Sequence, residues 1–170
     1  TPVCDECERV VSSGVVVVAA AGDQGRQRDT TAEGGVAEAY LSSSVPDPGN
    51  AELVITVGAT HPHRPHTYGV SYFSSRGPTG DGRRKPDVLA PGERIYSAVL
   101  NNTYGPKDGT SMAAPHVSGA AALLMARHRE FVGQPARVKR ILCETATDLG
   151  RERYFQGAGM IDTLRALQSV

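Results

Sequence analysis

Val3, Cys7, Val10 and Val11 recur at helical spacing among Asp5, Glu6, Glu8 and Arg9, which predicts a short amphipathic helix over residues 3–12, ended by Gly14. Val15-Val-Val-Val-Ala-Ala-Ala21 follows as one continuous apolar run. Such a run suits a parallel strand buried on both faces. Residues 22–50 are polar and rich in Gly, Ser and Pro, so a long loop is expected, with one short apolar element over 36–41. A second buried strand is predicted over 52–59, and further strands over 70–73 and 94–100 between Pro/Gly turns. Residues 111–129 are apolar almost all round, the mark of a buried helix. Val138, Ile141 and Leu142 share one face of a helix over 135–145, and a short amphipathic helix over 160–167 closes the chain. Helix, short turn, buried strand is the signature of an α/β fold, here a mostly parallel sheet flanked by helices. No internal repeat or linker divides residues 1–170.

Eighteen Lys and Arg balance eighteen Asp and Glu, so the net charge is zero. That argues against a strongly basic nucleic-acid domain and against an acidic tail. Trp is absent and aromatics reach only 5%, which disfavours a stacking platform for single strands. No nucleic-acid partner is expected. No apolar run reaches eighteen residues, so no membrane span is expected either. The start, Thr1-Pro-Val-Cys-Asp-Glu-Cys7, lacks the basic flank and apolar stretch of a signal peptide. Cys4, Cys7 and Cys143 are odd in number, which fits free thiols. Cys4 and Cys7 have no second ligand pair, so they read as small residues one helical turn apart on a packed face rather than as a zinc site. Free thiols lean faintly toward the cytoplasm, but a secreted protein fits as well.

The chemistry concentrates in Gly109-Thr-Ser-Met-Ala-Ala-Pro-His-Val-Ser-Gly119. Ser111 stands where a glycine turn enters the buried helix. The first N–H groups of a helix lack intrahelical partners, and the dipole adds positive charge there. A serine oxygen at such an end can attack a carbonyl whose developing oxyanion meets waiting donors. The plainer reading makes Ser111 or Thr110 an ordinary N-cap.

From Asp108 to Gly119 this stretch resembles the nucleophile motif of the subtilisin-like serine proteases. Four other regions resemble the same family, in its order: Ser13-Gly-Val-Val-Val-Val-Ala-Ala-Ala-Gly-Asp-Gln-Gly25, residues 48–59, residues 72–78 with 85–92, and Gly157-Ala-Gly-Met-Ile-Asp162. The resemblance implies a subtilisin-like α/β domain whose C-terminal half is residues 1–170. It implies a serine endopeptidase acting on polypeptides by acyl transfer to Ser111. Asp23 and Thr110 would belong to the oxyanion hole, and Ala21 and Gly22 to the wall of a substrate pocket.

The family's triad runs Asp, His, Ser along the chain. Its Asp and His motifs would therefore come from an upstream portion of the same domain, which becomes the expected partner. His116 lies about 140° round the helix from Ser111 and cannot replace the base; the family reading makes it a packing residue. His61, His63 and His66 have no carboxylate or Cys at ligand spacing, so no metal is expected there. The family usually carries Asn where this chain has Asp23, and an ionised carboxylate cannot donate to an oxyanion. A catalytically weakened or inactive protein that binds peptides is the alternative. No cofactor is expected. Asp87 resembles a carboxylate that helps bind a cation in some members, but one carboxylate is thin support for calcium. Arg83-Arg-Lys85 reads as a solvated turn.

Overall fold

The computed structural model describes residues 1–30 and 35–170. In chain order its elements are α1 (Pro2–Ser12), β1 (Val18–Ala20), β2 (Arg26–Thr30), β3 (Val36–Tyr40), β4 (Ile55–Thr60), α2 (Pro65–Tyr68), β5 (Val88–Pro91), β6 (Ile95–Val99), β7 (Thr103–Lys107), α3 (Thr110–Arg127), a 3-10 turn (Arg129–Phe131), α4 (Pro135–Glu144), α5 (Arg153–Gln156) and α6 (Thr163–Gln168). β1, β4 and β5 form a parallel sheet in the order β1-β4-β5. The fold is α/β, as the alternation of helices and β-branched runs predicts.

The sheet is covered on both faces, and the pleat decides which residue goes where. Val17 and Ala19 pack with Cys4, Val11 and Val54 beneath α1. Val16 and Val18 point the other way, into the larger cluster with Val57, Val117, Leu124 and Val138. Alternate residues of one strand thus feed two cores. α1 starts where Pro2 follows Thr1, whose hydroxyl accepts the Cys4 N–H at 3.4 Å. α3 lies against the sheet's other face and buries Ala113, Val117, Ala120, Ala121 and Leu124.

Several expectations need correction. The apolar run from Val15 pairs as a strand only from Val18, and Val15 is half exposed. The expected loop over 22–50 contains an antiparallel ribbon, β2 with β3, whose register runs from Arg26↔Tyr40 to Thr30↔Val36; residues 31–34 lie outside the described residues. Residues 70–73 form no strand, only a bridge from Val70 to Thr60. The buried Ser74 and Ser75 explain this. Their hydroxyls accept from Ala59 N (3.1 Å) and Gln24 N (3.0 Å), so the segment is tied down by side chains together with scattered backbone bonds rather than by a regular ladder. β5 was not anticipated between Pro86 and Gly92. Nor was β7, which pairs with the expected β6. Their reversal passes through Asn101 and Asn102, both left-handed at φ 65° and 54°. Asparagine tolerates that conformation better than most residues. α3 is not buried all round: Leu123 is 55% exposed on its far side.

Candidate active site

The parallel strands aim their C-terminal ends at one place, the usual ligand end of an open α/β sheet. β1 continues into the turn at 22–25, and β5 into Gly92. Gly92 O accepts the Gly109 N–H at 2.9 Å and so docks the start of α3 against the end of β5. Asp108 Oδ1 accepts the Arg94 N–H at 2.7 Å and fixes the approach to the helix.

Gly109 occupies the N-cap position of α3 and has no side chain with which to cap it. The acceptor arrives from across the fold. Asp23 Oδ1 accepts from Thr110 N at 2.8 Å and from Thr110 Oγ1 at 3.0 Å. The Thr110 hydroxyl in turn accepts from Gly22 N at 3.0 Å. This chain, Gly22 to Thr110 to Asp23, ties the strand-end turn to the helix start. A carboxylate at that end also meets the positive end of the helix dipole. Thr110 is buried, whereas Asp23 and Ser111 are exposed. Ser111 N–H, a first-turn donor, has no hydrogen-bond acceptor among the described residues.

Gly22 can be only glycine here. Its φ is 92°, and a Cβ would sit 2.6 Å from Pro46 Cδ and 3.0 Å from Ser75 Oγ. Ala21 is fully buried and donates its N–H to Val57 O at 2.9 Å. The structure therefore brings Ser111, Thr110, Asp23 and Gly22 into one constellation, with Ala21 beneath it. The role of Asp23 as a remote cap was missed. A helix entered through Gly109 needs an acceptor from elsewhere, and that signal was present in the sequence.

His116 does not pack as expected; it is exposed. Its Nδ1 lies 2.9 Å from Met112 O and carries the proton of that bond. His61 Nδ1 accepts from the N–H groups of His63 (3.2 Å) and Arg64 (3.1 Å), closing a local turn. Cys4 Sγ donates to Asp47 Oδ1 at 3.0 Å. Burial and that carboxylate together push the Cys4 thiol up against the weaker opposing pull of Thr1.

The solvated turn expected at 83–85 is overturned at Lys85, which is only 2% exposed, whereas Arg84 is exposed. Its Nζ donates to Asp87 Oδ2 (2.7 Å), Thr56 Oγ1 (2.8 Å) and Val54 O (2.9 Å). Lys139 Nζ reaches Asp87 Oδ1 at 3.0 Å, Glu52 O at 2.7 Å and Val54 O at 2.8 Å. Burial lowers the Lys85 pKa from 10.5 to about 8, with Asp87 opposing the shift. Two ammonium groups thus occupy the oxygens around Asp87 that a calcium ion would need, and these residues do not fit a cation.

The Subtilase family profile matches residues 3–160. Subtilisin E of Bacillus subtilis (strain 168) is 38% identical over 161 residues, covering 95% of this chain and 36% of that protein. Serine protease AprX of the same organism is 34% identical over 180 residues, covering 95% of this chain and 37% of AprX. Among solved structures, the self-cleaved protease domain of PatA superposes with a TM-score of 0.73 at 27% identity, over 98% of this chain and 54% of that one. The chain thus spans little more than a third of the length of these two curated relatives. A family match across nearly every residue, on a parallel sheet that carries an exposed serine at the start of its central helix, identifies the chain as a member of the subtilase family of serine proteases.

Proposed function

We propose that this chain is the nucleophile-bearing half of a serine endopeptidase domain, and that it hydrolyses peptide bonds when joined to an upstream portion carrying the base and its orienting carboxylate. The observation that carries this is Ser111: exposed, at the first turn of α3, at the ligand end of the sheet, with its own N–H unpartnered. Ser111 Oγ attacks the scissile carbonyl and gives its proton to the upstream base. The carbonyl oxygen becomes an oxyanion facing Ser111 N–H, with the Asp23 side chain and Thr110 beside it. As the intermediate collapses the C–N bond breaks, and the amine leaves with the proton returned by the upstream base; water then attacks the acyl-enzyme and frees the carboxylic acid and the Ser111 hydroxyl. Among the described residues none is hydrogen-bonded to Ser111 as a base, so in the chain alone its hydroxyl stays a weak nucleophile.

The upstream portion has a prepared seat. β1 is an edge strand among the described residues, with a row of backbone groups facing outward. Val15 beside it is 50% exposed. Polypeptides are the substrates. No helix among the described residues is long and apolar enough to cross a membrane, and no nucleic-acid partner or cofactor belongs to this reading.

A second reading, a weakened enzyme that binds peptides without cutting them, has one observation in its favour: Asp23 presents a carboxylate where the oxyanion needs a donor. The test uses a fluorophosphonate label and a quenched peptide. The natural protein with its upstream sequence should label at Ser111 and turn over peptide, and Ser111→Ala should do neither. The 170-residue chain alone should be silent in both assays. Turnover that survives Ser111→Ala would overturn the proposal. Peptide binding without labelling or turnover would favour the second reading.

A further inference from the structure

The strand ends opposite Ser111 carry a second concave surface. Two cavities of about 750 and 550 Å3 lie there, and Val11, Leu53 and Ala136 line both, so they form one continuous groove. It runs between the last turn of α1, the residues leading into β4 and β5, and the start of α4. Leu53 precedes β4 and Lys85 precedes β5, whereas Asp23 and Gly92 follow β1 and β5. In a parallel sheet this puts the groove and the serine at opposite ends of the strands. The groove therefore belongs to neither the nucleophile nor its oxyanion hole.

Its charge is uneven in a chain whose net charge is zero. Six cationic side chains line the two cavities against two carboxylates, Glu52 and Asp87. Some of that charge is already matched. Asp87 is held by Lys85 and Lys139, and Arg83 pairs with Asp81 at 2.8 Å. Three arginines remain. Arg84 makes no ion pair or hydrogen bond among the described residues. Arg137 is exposed, and its guanidinium, 4.4 Å from the centre of the Phe131 ring, makes no ion pair or hydrogen bond among the described residues. Arg140 reaches Glu144 no closer than 4.0 Å, an exposed pair of little worth. Between these cations lies an apolar floor, with Leu53 41% exposed.

We propose that this groove is an exosite for an acidic polypeptide segment that also carries an apolar side chain. The carboxylates would pair with Arg84, Arg137 and Arg140, in the bidentate manner that arginine favours. The apolar side chain would cover Leu53 and Val11. Charge complementarity selects the occupant, and the apolar floor selects peptide over nucleic acid: no aromatic ring lines the groove on which a base could stack. Because the site lies at the far end of the sheet, it would hold a protein substrate or regulator by a segment remote from the cut bond. Binding itself does not depend on the proposed peptidase activity and is tested apart from it.

The experiment is fluorescence anisotropy on the natural full-length protein carrying Ser111→Ala, so that no probe is cleaved. The probe is a labelled twelve-residue peptide of Glu and Leu; the controls are its Lys-for-Glu counterpart and a labelled oligothymidine. The acidic peptide should bind and weaken at least about 10-fold from low salt to 0.5 M salt. Arg84→Glu with Arg137→Glu, both exposed and outside the core, should weaken it at least about 10-fold more while the circular dichroism spectrum stays unchanged. Leu53→Asp should also weaken it. Equal affinity in parent and charge-reversed protein, no binding of the acidic peptide, or tighter binding of the oligonucleotide would each overturn the exosite.

Discussion

Lys85→Met tests whether an internal ion cluster, rather than a bound cation, organises the N-terminal ends of β4 and β5. Lys85 is 2% exposed, and burial lowers its pKa from 10.5 to about 8. Between about pH 8 and 10.5 the unfolded chain therefore holds a proton that the folded chain has lost. The unfolded state binds more protons, so stability rises with pH across that window. A shift of this size corresponds to about 3 kcal/mol. Cys143 works against it. Burial raises its thiol from 9.0 to about 11, so the folded chain keeps a proton that the unfolded chain loses, and stability falls from about pH 9 upward. The net slope in the parent should be upward between pH 8 and 9 and flatter above. In Lys85→Met the rise should vanish and only the decline from the raised thiols, Cys143 and Cys4, remain. At pH 7 the variant should lie within about 1 kcal/mol of the parent, because Met nearly preserves the volume and Asp87 keeps Lys139 and the Thr56 N–H, at 3.0 and 2.8 Å. Asp87→Ala should instead cost about 3–5 kcal/mol, since it leaves two ammonium groups without a counter-charge. Urea unfolding at half-unit steps from pH 7 to 10, with and without a chelator, reads all of this. Parallel pH curves for the parent and Lys85→Met, or a chelator-induced loss in the parent, would refute the reasoning.

Asp23→Asn should keep an oxygen on Thr110 and place an amide where Oδ2 now lies, so in the complemented enzyme kcat should rise by up to about 10²-fold with KM little changed; identical kcat at saturating substrate would show that this side chain never meets the oxyanion. Gly22→Ala should destabilise the fold and lower turnover together, because its Cβ would strike Pro46 in a left-handed backbone; a melting temperature equal to the parent's would contradict the close approach. Leu124→Ala, at a position with no exposed surface, should cost about 2–5 kcal/mol in chemical denaturation without altering fluorophosphonate labelling of the folded fraction.

Much was legible in the sequence because it depends on local order alone. The apolar run before Gly22 could be placed in a parallel strand, though only Val18–Ala20 of it pairs, and the alanine-rich stretch after Ser111 in a central helix, since hydrophobic period follows directly from backbone geometry. Gly109 before Ser111 marked the helix start, and the spacing of His116 excluded it as a partner. Tertiary structure decided what depends on segments distant in the chain. Asp23 became the cap of α3 only because β1 and β5, on either side of β4, end at the same edge of the sheet, which brings Asp23 to Thr110 across 87 residues of sequence. Residues 70–73 could have been a strand by composition; the buried serine hydroxyls that follow, facing β4 and the 22–25 turn, made them part of a connector instead. Lys85 read as a solvated turn residue until the fold put Asp87 and the carbonyl of Val54 within reach of its ammonium. A periodic pattern reports which face of an element avoids water, but burial of a charge depends on which partner the fold delivers, and no local pattern contains that partner.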